Sequence, residues 1–128
     1  MFSKFPDLKV VLAESGITWL PAHLWRLSKY WQGLRMEVPW VDRSPTDIVR
    51  TNVRLTLQPL DGPPDTKSLD RILDHLGSDE LILFSTDYPH NQFDGDAALP
   101  EGFSKDLARK IMVDNPLSTY SRLKEKIQ

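Results

Sequence analysis

The chain has 128 residues, 40% hydrophobic and 27% charged, a balance that suits one globular domain over 1–128 and excludes a disordered polymer. Sixteen basic and 18 acidic residues leave a formal charge of −2 with no basic block, so a nucleic-acid or membrane-surface partner has no electrostatic support. There is no cysteine, which excludes disulfides, thiolate zinc sites and a cysteine nucleophile. The apolar runs, such as Val10 to Ala13, are far too short to span a membrane. Met1 to Pro6 lacks the apolar core of a signal peptide, so a cytoplasmic location is expected.

Leu8 to Ala13 is aliphatic and β-branched, between Pro6-Asp7 and Glu14-Ser15-Gly16, and predicts a buried strand. A helix follows, with Pro21 in its first turn. Trp19, Leu20, His23, Leu24, Leu27, Tyr30, Trp31 and Leu34 recur at helical spacing and predict one apolar face. Met36 to Arg43 reads as a loop. Ser44-Pro45-Thr46-Asp47 matches a capping box opening a short helix to about Thr51-Asn52, with Asp47 reaching back to free N–H groups. Val53 to Leu57 is the second strand, and Asp61 to Asp65 a turn rich in breakers. Leu69, Ile72, Leu73 and Leu76 place one face of the next helix inward, with Gly77 as its C-terminal cap. Glu80 to Ser85 is the third strand. Asn91 to Gly102 reads as a polar loop. Ser104 is expected to cap a helix that turns Leu107, Ala108, Ile111 and Met112 inward. Asn115-Pro116 then reads as a cap and first residue of a last helix carrying Leu117, Tyr120, Leu123 and Ile127. Strands alternating with helices predict an α/β fold with a parallel sheet.

Ligands in such folds sit beyond the carboxyl ends of the strands, and two of those ends are chemically unusual here. Glu14 directly follows the first strand. It suits a general base, a metal ligand or a hydrogen-bond partner; it also suits a simple ion pair or helix cap. Asp87 follows the third strand and could ligate a metal or hold a catalytic proton, or cap the following turn. His90, three residues on, could be a second ligand or an acid/base, or an exposed loop histidine. Ser15, Asp87 and His90 have the chain order of an α/β-hydrolase triad. The glycines of a nucleophile elbow are absent, with Ala13 and Ile17 in their places. His23 and His75 lie in helical patterns and read as structural. Trp19, Trp25 and Trp31 read as core or interface residues, because no basic groove accompanies them. No phosphate-binding glycine loop is present, which disfavours a nucleotide cofactor.

Three segments together resemble a known family. Phe5 to Gly16 is similar to the F-P-x-L-K-x-V-x-x-H/E-x-G segment of amidohydrolase-related proteins. These are the aminocarboxymuconate-semialdehyde-decarboxylase-like, metal-dependent TIM-barrel hydrolases and decarboxylases. Ser85 to His90 resembles their S-D-Y-P-H segment, and Asp114 to Tyr120 their D/E-N-A-x-x-x-Y/F ending. Glu14, Gly16 and Trp19 fit the branch with Glu-x-Gly-x-x-Trp, which also carries Val38-Pro39-Trp40. The resemblance implies a partial TIM barrel, with the three parallel βα units as strands six to eight of eight. It implies Asp87 as metal ligand and proton shuttle, and Glu14 as a catalytic residue where many members carry histidine. Ser15 stands where they carry glycine. His90 and Trp19 are assigned to substrate binding.

The family's early His-x-His pair and its middle-strand histidine have no counterpart here. A full barrel needs about 200–250 residues. The chain is therefore expected to be the C-terminal half of such a protein, with an incomplete site for a divalent metal, zinc by expectation. A metal held by Asp87 alone would bind weakly, or not at all. The parent activity implied is hydrolysis or non-oxidative decarboxylation of small organic acids or ring compounds, with the isolated chain inactive. Two alternatives stand beside it. One is a non-catalytic module that completes a barrel by pairing its open sheet edges with a partner chain or a second copy. The other is a small serine hydrolase using Ser15.

Overall fold

A computed structural model describes residues 1–63, 65–91, 95, 99 and 102–127. Three strands form a parallel sheet in chain order: β1 (Val10–Leu12), β2 (Val53–Thr56) and β3 (Ile82–Leu83). Val10, Val11 and Leu12 pair with Val53, Arg54 and Leu55; Leu55 and Thr56 pair with Ile82 and Leu83. Helices α1 (Leu20–Leu34) and α2 (Pro45–Asn52) link β1 to β2, and α3 (Thr66–Leu76) links β2 to β3. After β3 come α4 (Lys105–Arg109), a π-helical turn (Lys110–Asp114), α5 (Asn115–Thr119) and α6 (Ser121–Ile127). The α/β alternation and the parallel sheet are as the sequence predicts.

The core forms between one sheet face and the helices. Val53, Leu55 and Leu57 from the central strand and its exit join Ile17, Leu20, Leu24, Leu69, Leu76, Leu81, Ile82 and Ile111. Period-two alternation sends Arg54 and Thr56 to the other face, yet both are also buried. Asn52, at the end of α2, donates to the carbonyls of Pro6 (2.6 Å) and Leu8 (2.8 Å), holding the segment that leads into β1.

Several elements differ from their sequence expectation. β1 is half-buried rather than fully buried, whereas β3, at the other edge of the sheet, is fully buried with the π-helical turn against it. β3 is shorter than Glu80–Ser85. Ser78 accepts the N–H of Glu80 (3.3 Å) and turns Asp79–Leu81 into a 3-10 turn; beyond Leu83, the Phe84 N–H donates to the Ile111 carbonyl (3.1 Å). The α1 stripe is buried at Leu20 and Leu24, but Tyr30 and Leu34 are exposed and Trp31 is half-buried. The Ser44 hydroxyl accepts the Asp47 N–H (3.1 Å) as a cap. The Asp47 carboxylate, however, accepts the Ser44 hydroxyl (2.6 Å) instead of reaching back to the backbone.

The C-terminal helices differ most. Ser104 caps α4 as expected, through the Leu107 N–H (3.1 Å), but Met112 faces solvent. Asn115 starts no new helix. Its N–H reaches the Lys110 carbonyl five residues back, and the backbone remains helical through the π turn. Pro116 has no N–H to give, and the widened turn absorbs that gap without ending the helix. The break comes at Tyr120, so the expected last helix is two short pieces with Tyr120 and Leu123 exposed. Much of the Asn91–Gly102 loop, Pro64 of the turn and the Ile127 side chain lie outside the described residues.

Candidate metal and proton-transfer centre

The chain leaves β1 through a tight turn. Glu14 takes a left-handed backbone (φ 54°), and its N–H donates to the Thr56 hydroxyl (2.7 Å) at the end of β2. Gly16 is also left-handed (φ 60°). A Cβ there would lie 3.0 Å from the Pro59 carbonyl oxygen, so side chains larger than hydrogen are disfavoured twice over. After β3, Ser85 ties the exits of β2 and β3 together: its hydroxyl accepts the Gln58 N–H (3.2 Å) and donates to the Gln58 carbonyl (3.4 Å). Asp87 follows, left-handed (φ 60°), and its carbonyl accepts the His90 N–H (2.9 Å). Non-glycine residues in this region cost about 1–2 kcal/mol each and concentrate at functional sites. Among the described residues the two of this kind are the two strand-end carboxylates.

These turns bring three side chains together. Glu14, Asp87 and His90 each offer a ligand atom, and the three atoms lie within 4.8 Å of one another. The His90 Nδ1 is 2.6 Å from Asp87 Oδ1 and 3.7 Å from Glu14 Oε1. The Asp87 side chain is 2% exposed, whereas His90 and Glu14 are open to solvent. The Asp87 hydrogen bond, then the charges of Asp87 and Glu14, raise the His90 pKa above its ordinary value, against a smaller opposing effect of burial. Two carboxylates around one imidazole form an anionic cup that can take a cation or hold a proton. Oxygen donors with one imidazole nitrogen suit manganese or zinc, and a buried carboxylate beside an imidazole is a fitting cation ligand.

The other sequence candidates make contacts of their own. Trp19 is 41% exposed; its indole N–H donates to the Ser15 carbonyl (3.0 Å) and its ring meets His23 edge-on. The Ser15 hydroxyl donates to the Leu12 and Gly16 carbonyls (3.1 Å each), while His90 is engaged by Asp87 and Glu14. His75 packs edge-on against Trp25 at the surface. Sequence reasoning missed Thr56, Gln58 and Ser85, which fix the two turns. The available signal was a polar residue at each exit: Thr56 ends β2 between Leu55 and Leu57, and Gln58 and Ser85 directly follow Leu57 and Phe84.

The amidohydrolase family model matches residues 1–122. An amidohydrolase from Mycobacterium avium subsp. paratuberculosis K-10 is 28% identical with a TM-score of 0.70, over 92% of this chain and 29% of its own. A dihydroxybenzoic acid decarboxylase from Polaromonas sp. JS666, solved with manganese and the inhibitor 2-nitroresorcinol, is 26% identical with a TM-score of 0.65, over 94% and 36%. The 5-carboxyvanillate decarboxylase from Sphingomonas paucimobilis shares the fold at 23% identity, with a TM-score of 0.66 over 94% and 36%. No curated protein matches. The chain thus spans about a third of the length of these solved relatives, less than the half that barrel arithmetic suggests. No helix among the described residues is long and apolar enough to cross a membrane. A match over nearly the whole chain agrees with the parallel α/β core and the strand-end carboxylates, and the chain belongs to the amidohydrolase family.

Proposed function

We propose that the chain supplies strands six to eight of an amidohydrolase barrel, and with them part of a divalent-metal and proton-transfer centre. The substrates on this reading are small organic acids, hydroxylated aromatic acids foremost, the class named by the decarboxylase relatives. The observation that carries the reading is the convergence of Glu14, Asp87 and His90 beyond the carboxyl ends of β1 and β3.

Asp87, with Glu14 and His90 beside it, would hold the metal. When bound, such an ion polarises a carboxylate or carbonyl, or activates water. The chain's own groups supply the rest. Asp87 is anchored by its turn and shielded from water, so its carboxylate keeps a fixed direction. The short Asp87–His90 contact gives a proton a path between Oδ1 and Nδ1. Glu14 adds negative charge that raises the His90 pKa, so without metal the imidazole keeps its proton to higher pH. Trp19, next to Ser15 in the same turn, offers an aromatic wall for a ring.

The early histidines of the family are absent from this chain, and a catalytic zinc usually takes about three protein ligands plus an open position. The isolated chain is therefore expected to bind metal weakly and to leave 2,6-dihydroxybenzoate unchanged. Calorimetric titration with Mn2+ tests the site. The expected result is a single weak site lost in Asp87→Asn and weakened in Glu14→Gln. Binding that survives Asp87→Asn would sink the assignment, and rapid turnover by the purified chain would sink the fragment reading.

A further inference from the structure

We propose that a cleft at the amino ends of the strands, lined by Lys9 and Arg54, binds a small oxyanion of the phosphate or carboxylate class. The cleft has a volume of about 290 Å3, near the lower end of small-molecule sites, and its wall also includes Glu80, Lys110, Asp114, Asn115 and Ser118. It lies at the opposite end of the sheet from Glu14, Asp87 and His90. Lys9 precedes β1, Arg54 is the second residue of β2 and Glu80 precedes β3.

Arg54 is the unusual member. It is 4% exposed, and no carboxylate lies within 4 Å of it among the described residues. One guanidinium nitrogen, Nη1, is satisfied by the carbonyls of Arg50, Thr51 and Val53, but the buried Nε has no partner. A buried cation is ordinarily paired, and an orphaned buried donor points to a group that completes it. Lys9 donates to the Thr51 carbonyl beside it. Burial, then the like charge of Arg54, lowers the Lys9 pKa against the smaller opposing charges of Glu80 and Asp7.

The other charges nearby compensate this pair only at a distance, through Glu80 and, for Lys9, Asp7. Lys110 is held by both oxygens of Asp79 (2.7 and 2.8 Å), and Asp114 lies 3.9 Å from Arg109. Glu80 acts on both Lys9 and Arg54 through its charge, but forms an ion pair with neither. An oxyanion seated between Lys9 and Arg54 relieves the repulsion between the two cations, and a small shift of the guanidinium would bring the enclosed Nε to it as a donor.

The test is titration of the 128-residue chain with inorganic phosphate at constant ionic strength, followed by amide NMR. Saturable shifts are expected around residues 9 and 54. Lys9→Gln, at an exposed position, should weaken binding about tenfold with an unchanged circular dichroism spectrum. Arg54→Met should abolish it. Asp87→Asn should bind phosphate as the unaltered chain does, which separates this site from the metal centre. A parallel acetate titration reads whether a planar carboxylate also fits. Shifts that stay linear for both anions, that chloride reproduces, or that persist in Lys9→Gln and Arg54→Met would overturn the proposal.

Discussion

Asn115→Ala should be among the most damaging single changes in the chain, although Asn115 is neither apolar nor at the candidate centre. Its side chain is 3% exposed, and Nδ2 donates to the carbonyls of Asp79 (2.7 Å) and Ile82 (2.9 Å). Those bonds tie the C-terminal helices to the entry of β3. The Ile82 carbonyl is on a fully buried residue, so losing its donor exposes the desolvation cost of an unpaired acceptor, about 1–3 kcal/mol. Asp79 is exposed and its carbonyl can recover water, which limits that loss to roughly 0.5–1.5 kcal/mol. The total is about 2–4 kcal/mol, a large fraction of a typical domain's stability of roughly 5–15 kcal/mol. Urea denaturation followed by far-UV circular dichroism reads it as a lower midpoint at unchanged slope. A loss below about 1 kcal/mol would mean that water or another donor serves both carbonyls and that Asn115 does not hold them. Asn115→Asp sharpens the test. A carboxylate facing two carbonyls should destabilise more than alanine at pH 7 and recover as it is protonated at low pH.

Gly77→Ala should cost about 1–3 kcal/mol by the same assay, since Gly77 is left-handed (φ 64°) and an added Cβ would meet the Arg50 guanidinium, breaking its 3.0 Å bond to the Leu76 carbonyl. In the metal-free chain, NMR titration should find the His90 pKa above its ordinary value, lowered by Asp87→Asn and lowered less by Glu14→Gln. The sign for stability follows: the pairing contributes fully below the unfolded histidine pKa of about 6.5 and is lost as pH rises through the raised folded value. Metal binding runs the other way, strengthening with rising pH as the metal displaces the proton. An unshifted His90, or one indifferent to Asp87→Asn, would contradict the 2.6 Å contact.

The parallel α/β order was legible because apolar strand runs and helical stripes alternate along the chain, and the caps at Ser44 and Ser104 were legible from residue type alone. The strand-end carboxylates stood out for the same reason, being charges placed directly after apolar runs. The meeting of Glu14 with His90 was not legible, since 76 positions separate them and only parallel pairing through β2 brings their turns together. The burial of Arg54 was equally hidden: strand periodicity fixes which face it takes, not whether that face is covered. Asn115-Pro116 read as a helix start because that pair usually is one. The π turn reverses that reading, since the long bond from Asn115 to Lys110 carries the helix past the proline.

On the reading proposed above, Glu14, Asp87 and His90 act as one cation-binding unit. Paramagnetic broadening of backbone amides by substoichiometric Mn2+ tests it most directly, because the effect reports distance from the ion. A second acidic surface, the cleft lined by Asp70, Asp74 and Asp79, provides an internal competitor. Broadening should centre on residue 14 and residues 87 to 90, and disappear there in Asp87→Asn. Broadening centred on Asp70 and Asp74, with the signals of residues 14 and 87 to 90 left sharp, would contradict it.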